Sequence, residues 1–198
     1  MISEKVLRKY HAEKRSYAKG EVIFKTGEPA NFYYEIAEGE VKMCNTNEQG
    51  KEFIQGIFSK GRCFGEPPLF GHFNYPADAI ATEDTVLWRL PKTAFIELLK
   101  SEPDIHFALT QAIAARLYYK AVMAQEISHE DPKHRIIKLL SYLKYEIYKL
   151  PEKYSYQVEL TRQQIADLTG LRVETTIRAI KVLEKEGALR IEQRKLWI

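Results

Sequence analysis

Along the chain the apolar positions change their period near residue 100. Short alternating runs broken by glycine give way to runs in which apolar residues recur every three or four positions. In the first stretch, residues 21–25, 32–36, 40–44, 53–58 and 85–90 are rich in β-branched and aromatic side chains, and eight of the ten glycines fall between Gly20 and Gly71. Many short strands with glycine turns predict a jelly-roll or barrel whose interior holds side chains and at most one small ligand. A short basic helix is expected over residues 4–15, ahead of the strands.

Residues 91–100 then predict a short helix, and 101–128 a long one. On the long one Ile113, Leu117, Ala121, Ala124 and Ile127 form an apolar stripe at spacings of three and four, and Ala112, Ala114 and Ala115 permit close approach. A stripe this long outruns the barrel it leaves, which predicts a helix that lies against its twin in a homodimer. Pro132 disfavours helix in the residue before it, so 129–132 reads as a hinge. A helix over 133–149 follows, with Ile136, Ile137, Leu140, Leu143 and Ile147 inward, and then a loop at 151–155. The expected fold class is α+β. It comprises a β jelly-roll or barrel sensor at 1–103, a dimerisation helix and hinge at 104–130, and a winged helix-turn-helix DNA-binding domain at 131–198.

Residues 160–187, LTRQQIADLTGLRVETTIRAIKVLEKEG, carry the most specific signal. Thr161 is a good N-cap with Gln164 as its capping-box partner, and Ile165, Ala166 and Leu168 give the first helix an apolar side. Gly170 supplies the left-handed turn, and the small Ala166 lets a second helix over 173–186 pass close by. On that helix Thr176, Ile180 and Leu183 share one face and should pack inward. The other face presents Glu174, Ile177, Arg178 and Lys181, with Arg172 just ahead. Arginine can grip guanine with two bonds, glutamate can accept from cytosine, and an isoleucine tip can meet a thymine methyl group, so double-stranded DNA is the expected partner. Residues 188–192 and 195–198 flank Gln193-Arg194 as a β-hairpin wing whose turn lacks glycine.

Charge sharpens the picture once it is divided along the chain. Residues 1–100 carry 14 basic and 14 acidic side chains, 101–159 carry 8 and 8, and 160–198 carry 8 and 5, so the whole net charge of +3 sits beside the helix-turn-helix. That is the footprint of a chain in which one domain approaches a polyanion. The absence of a leader or long apolar run predicts no membrane partner and a cytoplasmic location, where Cys44 and Cys63 stay reduced.

The segment from Thr161 to Arg178 resembles the Crp/Fnr family of bacterial transcription regulators, whose pattern T-R-x-x-I-A-x-x-x-G-x-x-x-E-T-x-x-R is met by Thr161, Arg162, Ile165, Ala166, Gly170, Glu174, Thr175 and Arg178. The resemblance implies that Glu174 and Arg178 read bases, with Arg172, Val173, Ile177 and Lys181 on or beside the same face. It also implies that Thr161, Arg162, Gln163 and Thr175 hold phosphate or cap helices, and that RNA polymerase is a partner. It extends to the barrel through Gly27-Glu-Pro-Ala, Ile36-Ala-Glu-Gly-Glu-Val and Gly61-Arg-Cys-Phe-Gly-Glu66, which look like a cyclic-nucleotide-binding domain. In relatives that bind cyclic AMP, this cassette holds the phosphate with a backbone amide and an arginine, and the ribose with the glutamate.

Gly65 and Glu66 fit that pattern, but Pro76 stands where the arginine would be. Proline offers neither charge nor amide hydrogen, so cyclic AMP is disfavoured and the expected effector is an unidentified small molecule. Phe64, Gly65, Glu66, Pro76 and Ala77 form the candidate effector pocket, with Lys120 replacing a hydroxyl that relatives direct at the adenine. Haem is carried by some relatives, and His72 is its candidate ligand here, but the five histidines show no metal-ligand spacing. Two cysteines are too few for an iron–sulfur cluster within one chain. No nucleophile motif, Walker loop or dinucleotide fingerprint is present, so no enzyme is expected and no catalytic residue is assigned. The rival reading is a small-molecule-binding module that uses its winged helix for protein contacts.

Overall fold

The computed structural model describes residues 2–50, 52–128 and 131–198, the side chains at 123 and 125–128 excepted. They fall into two compact units, residues 1–113 and 114–198.

In the first unit α1 (Glu4–Lys9) precedes β1 (Glu13–Tyr17), β2 (Val22–Phe24), β3 (Phe32–Glu38), β4 (Glu40–Thr46), β5 (Glu52–Ser59) and β6 (Cys63–Phe64). A single helical turn, α2 (Pro67–Phe70), separates these from β7 (Asp78–Ala81) and β8 (Thr85–Pro91), after which come α3 (Lys92–Ser101) and the start of α4 (Pro103–Ser128). The strands form two antiparallel sheets of four, in the orders β1-β8-β3-β6 and β2-β7-β4-β5, the double-sheet arrangement of a jelly roll.

β3 shows why the core sits where it does. Four consecutive residues, Tyr33 to Ile36, are buried, so both faces of the strand are covered. Tyr33 stacks on Phe95 of α3 at 4.4 Å, whereas its neighbour Tyr34 turns the other way, to Phe64 at 5.6 Å and to Phe24 of the second sheet at 5.8 Å. Glu35 lies on the Tyr33 side, buried, and accepts hydrogen bonds from the Tyr33 hydroxyl at 2.7 Å and from the Ile2 amide at 3.1 Å.

The helix expected over 4–15 stops at Lys9. His11 takes a left-handed φ of 61°, Ala12 N–H donates back to Leu7 O, and His11 N–H donates to Arg8 O. This closes the helix in a Schellman turn with histidine in the place glycine usually takes. The charged residues after it form β1, which pairs with β8 and leaves most of its side chains in water. β6 and β7 are also absent from the sequence reading, because two- and four-residue strands are too short to show a period.

In the second unit α5 (Pro132–Ser141) is capped by Asp131, whose side chain accepts from Lys133 N–H. It buries Ile136, Leu139 and Leu140. The helix expected through Lys149 departs from α geometry at Tyr142–Ile147, a π-helical segment. Leu143 packs against the core of this unit as expected, and Lys144 next to it is also buried, its ammonium 5.0 Å from the Tyr145 ring centre.

Next come β9 (Gln157–Val158), α6 (Arg162–Thr169), α7 (Val173–Lys185), β10 (Arg190–Glu192) and β11 (Lys195–Trp197). The wing therefore has three antiparallel strands in the order β10-β11-β9, where two were expected. Gln193 and Arg194 both take positive φ, 49° and 66°, supplying without glycine the left-handed pair that a two-residue hairpin needs.

Candidate nucleic-acid interface

α6 begins with a complete capping box. Gln164 N–H donates to Thr161 Oγ1 at 3.1 Å, and Thr161 N–H donates to Gln164 Oε1 at 2.8 Å. It ends at Gly170, which takes a left-handed φ of 69° while Leu171 N–H donates to Ala166 O at 2.9 Å. Ile165 and Ala166 are fully buried, so α7 can cross close above them.

α7 is divided cleanly into two faces. Thr176, Ala179, Ile180 and Leu183 are buried; Glu174, Ile177, Arg178 and Lys181 are exposed, as is Arg172 at its N-cap. Val173 and Thr175 are half-buried at its first turn; at the start of α6 Thr161 and Gln163 are exposed and Arg162 is half-buried. Loss of hydration pulls the Arg162 guanidinium down from its ordinary value, yet arginine starts so high that it stays cationic at neutral pH. Among the described residues Arg172, Arg178 and Lys181 have no carboxylate partner. Elsewhere in this unit Lys133 pairs with Glu186 at 2.7 Å and Lys149 with Glu146 at 3.1 Å. A face carrying uncommitted cations, one carboxylate and one apolar tip over a fully packed underside can meet phosphates and base edges without giving up internal bonds.

The candidate effector residues are distributed unevenly. Phe64, Gly65, Glu66 and Ala77 are buried in the barrel, Pro76 is exposed with its carbonyl accepting from Asn45 Nδ2 at 2.8 Å, and Lys120 is exposed on α4 in the second unit. Gly65 takes a left-handed φ of 68°, and a Cβ there would lie 2.7 Å from the Phe24 ring and 3.2 Å from Tyr75. Those two rings stack on one another at 3.6 Å and 9°. Glu66 is fully buried and accepts from the Cys63 thiol at 3.2 Å. Burial raises the Tyr34 hydroxyl to about 12 and pushes Tyr75 higher still, so both stay neutral. This cluster of Phe24, Tyr34, Phe64 and Tyr75 escaped the sequence reading. The signal for it was only the local density of aromatic residues, which does not say where rings meet.

Cys44 and Cys63 are buried free thiols, and burial with a hydrogen bond to Glu52 raises Cys44 to about 12. His72 is exposed on the loop after α2. Among the described residues no group of three histidine, cysteine or acidic side chains could hold a metal ion, and no helix is long and apolar enough to cross a membrane.

The long helix leaves a row of side chains in water. Phe107 and Leu117 are 65% and 68% exposed, and Ala114, Ala121 and Ala124 are exposed between and beyond them. Ile113, expected in this row, is instead half-buried against the barrel core, because it lies one residue before Ala114 and so about 100° round the helix. The Ile127 side chain and the hinge residues His129 and Glu130 lie outside the described residues.

Residues 14–102 match the cyclic nucleotide-binding domain family, and residues 134–198 match the Crp-like helix-turn-helix domain. The cyclic AMP receptor protein of Thermus thermophilus is 27% identical over 179 residues, covering 90% of this chain and 80% of the relative. The cAMP-activated global transcriptional regulator CRP of Haemophilus influenzae is 26% identical over 180 residues, with the same two coverages. Among solved structures, the c-di-GMP responsive global regulator CLP of Xanthomonas campestris superposes with a TM-score of 0.74 at 22% identity, covering 99% of each chain. These relatives are regulators of transcription, not enzymes.

Proposed function

The chain belongs to the Crp/Fnr family of DNA-binding transcription regulators, and from that premise we propose that it acts as a homodimer whose two α7 helices enter successive major grooves about 34 Å apart on a two-fold symmetric site. The observation that carries this is the α7 surface: a packed inner face beneath an outer face whose cations have no carboxylate partner among the described residues. Glu174 and Arg178 read base edges, with Ile177 beside them. Arg172, Lys181, Arg162, Thr161, Gln163 and Thr175 engage phosphates or fix the helices that do. The exposed row from Phe107 to Ala124 is the surface on which the two copies meet. RNA polymerase is the further protein partner, and the cytoplasm is where it works.

The effector in this reading is a small molecule other than cyclic AMP. Three features support this reading over a cyclic nucleotide: Phe24 and Tyr75 cover Gly65, Glu66 is engaged inward by Cys63, and the exposed Pro76 brings no positive charge. A phosphodiester placed there would lose its hydration without compensation. An effector acts by favouring one arrangement of the two reading helices over another, which requires different affinities for the two.

Selection of duplexes from a random library by the full-length protein, followed by binding across a salt series, tests the proposal. The expected result is a palindromic sequence bound with an affinity that falls steeply as salt rises. Recovery of no preferred palindrome, or an affinity indifferent to salt, overturns it and favours the protein-contact reading. Mass spectrometry of the natively purified protein identifies a retained effector or haem, and tight cyclic AMP binding in calorimetry would refute the effector assignment.

A further inference from the structure

The outer face of α7 contains one feature that electrostatics does not explain. Ile177 is 39% exposed at the edge of a charged surface, and Val173, one turn earlier on the same side of the helix, is half-buried at its N-terminal end. Both border the packed face, Val173 lying i,i+3 from Thr176 and i,i+7 from Ile180, yet neither belongs to the core cluster that Ala179, Ile180 and Leu183 help to form. Together they make a small apolar strip along one border of the reading face, flanked by Glu174, Arg178 and Lys181.

We infer that Val173 and Ile177 form a methyl-reading strip, so that each half-site contains thymines whose 5-methyl groups pack on it, adjacent to the base pair or pairs read by Glu174 and Arg178. This rests on the reading of α7 as the DNA-recognition helix and deepens it by naming the base chemistry. The N-terminal turns of a recognition helix are the ones that reach base edges in the major groove, and Val173 and Ile177 occupy the first two turns. The thymine methyl is the one apolar group that the major groove displays, so it is the chemistry that an isoleucine tip and a valine can distinguish. A cytosine at the same step would set its amino group against the strip with no acceptor from these two side chains, which adds discrimination against it. Glu174 lies next to the strip and accepts from an amino group, which places the thymine beside a C·G or A·T step and not in its stead.

The test replaces atoms in the DNA and leaves the protein intact. A duplex recovered by selection with the full-length protein is resynthesised with deoxyuridine for thymine, one position at a time, which removes the methyl and keeps every hydrogen-bonding group. The expected result is a loss of about fourfold in affinity at one or two positions per half-site, the equivalent of one buried methyl each. The Val173→Ser, Ile177→Ser double variant is expected to bind the thymine and uracil forms of that duplex equally. Equal binding of both forms by the unaltered protein overturns the inference while leaving DNA recognition standing. A selection that yields no preferred duplex overturns the underlying assignment of α7, and the strip with it.

Discussion

Thr176 sits on the buried side of α7 with no solvent exposure, and its hydroxyl has no hydrogen-bond partner among the described residues. A buried hydroxyl left unsatisfied costs about 1–3 kcal/mol, while its shape is matched by valine. Thr176→Val is therefore expected to stabilise the second unit by about 1 kcal/mol, read as a higher urea midpoint with unchanged slope. The opposite face behaves differently, since its side chains face outward and contribute little to folding. Arg178→Ala should leave the urea midpoint within about 0.5 kcal/mol while weakening DNA binding by about 1–3 kcal/mol and relaxing preference at one base position. An altered midpoint with unaltered base preference would reassign Arg178 to the fold. The inward direction of Thr176, Ile180 and Leu183 was legible from a 3.6-residue period, because packing against one neighbour demands it. The missing partner of the Thr176 hydroxyl was not, because it depends on which atoms of other helices surround it.

Elements were legible where a cap or a glycine announces their ends. Thr161 and Gln164 fix the start of α6, and Gly170 fixes its stop, with the backbone in the conformation glycine tolerates best. Gly170→Ala is expected to cost about 1–2 kcal/mol from left-handed strain alone, and thermal unfolding measures it. His11 does the same work at the end of α1 without advertising it, which is why a charged run read as helix folds partly into β1. The π turn at Tyr142–Ile147 was hidden for a related reason: a period-3.6 count assumes α hydrogen bonding throughout, and gives no warning that Lys144 is buried next to Leu143. In the barrel, Gly65→Ala would push a methyl into the Phe24 ring in addition to straining the backbone. Combining it with Phe24→Ala should remove the clash but not the strain, so the double variant is expected to be more stable than the sum of the two single losses predicts. Strict additivity in a denaturation cycle would mean that the ring does not press on Gly65.

At the scale of the whole molecule, two separate cores explain why the sequence reads so differently on the two sides of α4. One closes around the aromatic residues of the sheets; the other closes around α5, α6 and α7 and the wing. The stripe on α4 was legible as a period but not in its exact rotation, because Ile113 is claimed by the barrel core while Phe107 and Leu117 are left in water. Leu117→Glu places a charge in that row without touching either core. It is expected to shift the protein from dimer to monomer in sedimentation and to abolish preference for palindromes over single half-sites. A variant that remains dimeric would move the contact elsewhere.

The stacked rings of Phe24 and Tyr75 carry a consequence for how such a receptor would respond. If the proposed effector reaches the Gly65 amide, whose open side faces Phe24 and Tyr75, it would have to separate two rings whose centres lie 3.6 Å from one another. Work spent on that separation is subtracted from the visitor's own grip, and each ~1.4 kcal/mol of it raises tenfold the concentration at which half the barrels are filled. On the proposed reading of the barrel as a sensor, its threshold is written partly into an internal contact that the incoming molecule would destroy, and trimming either ring is expected to make the protein answer to fainter signals.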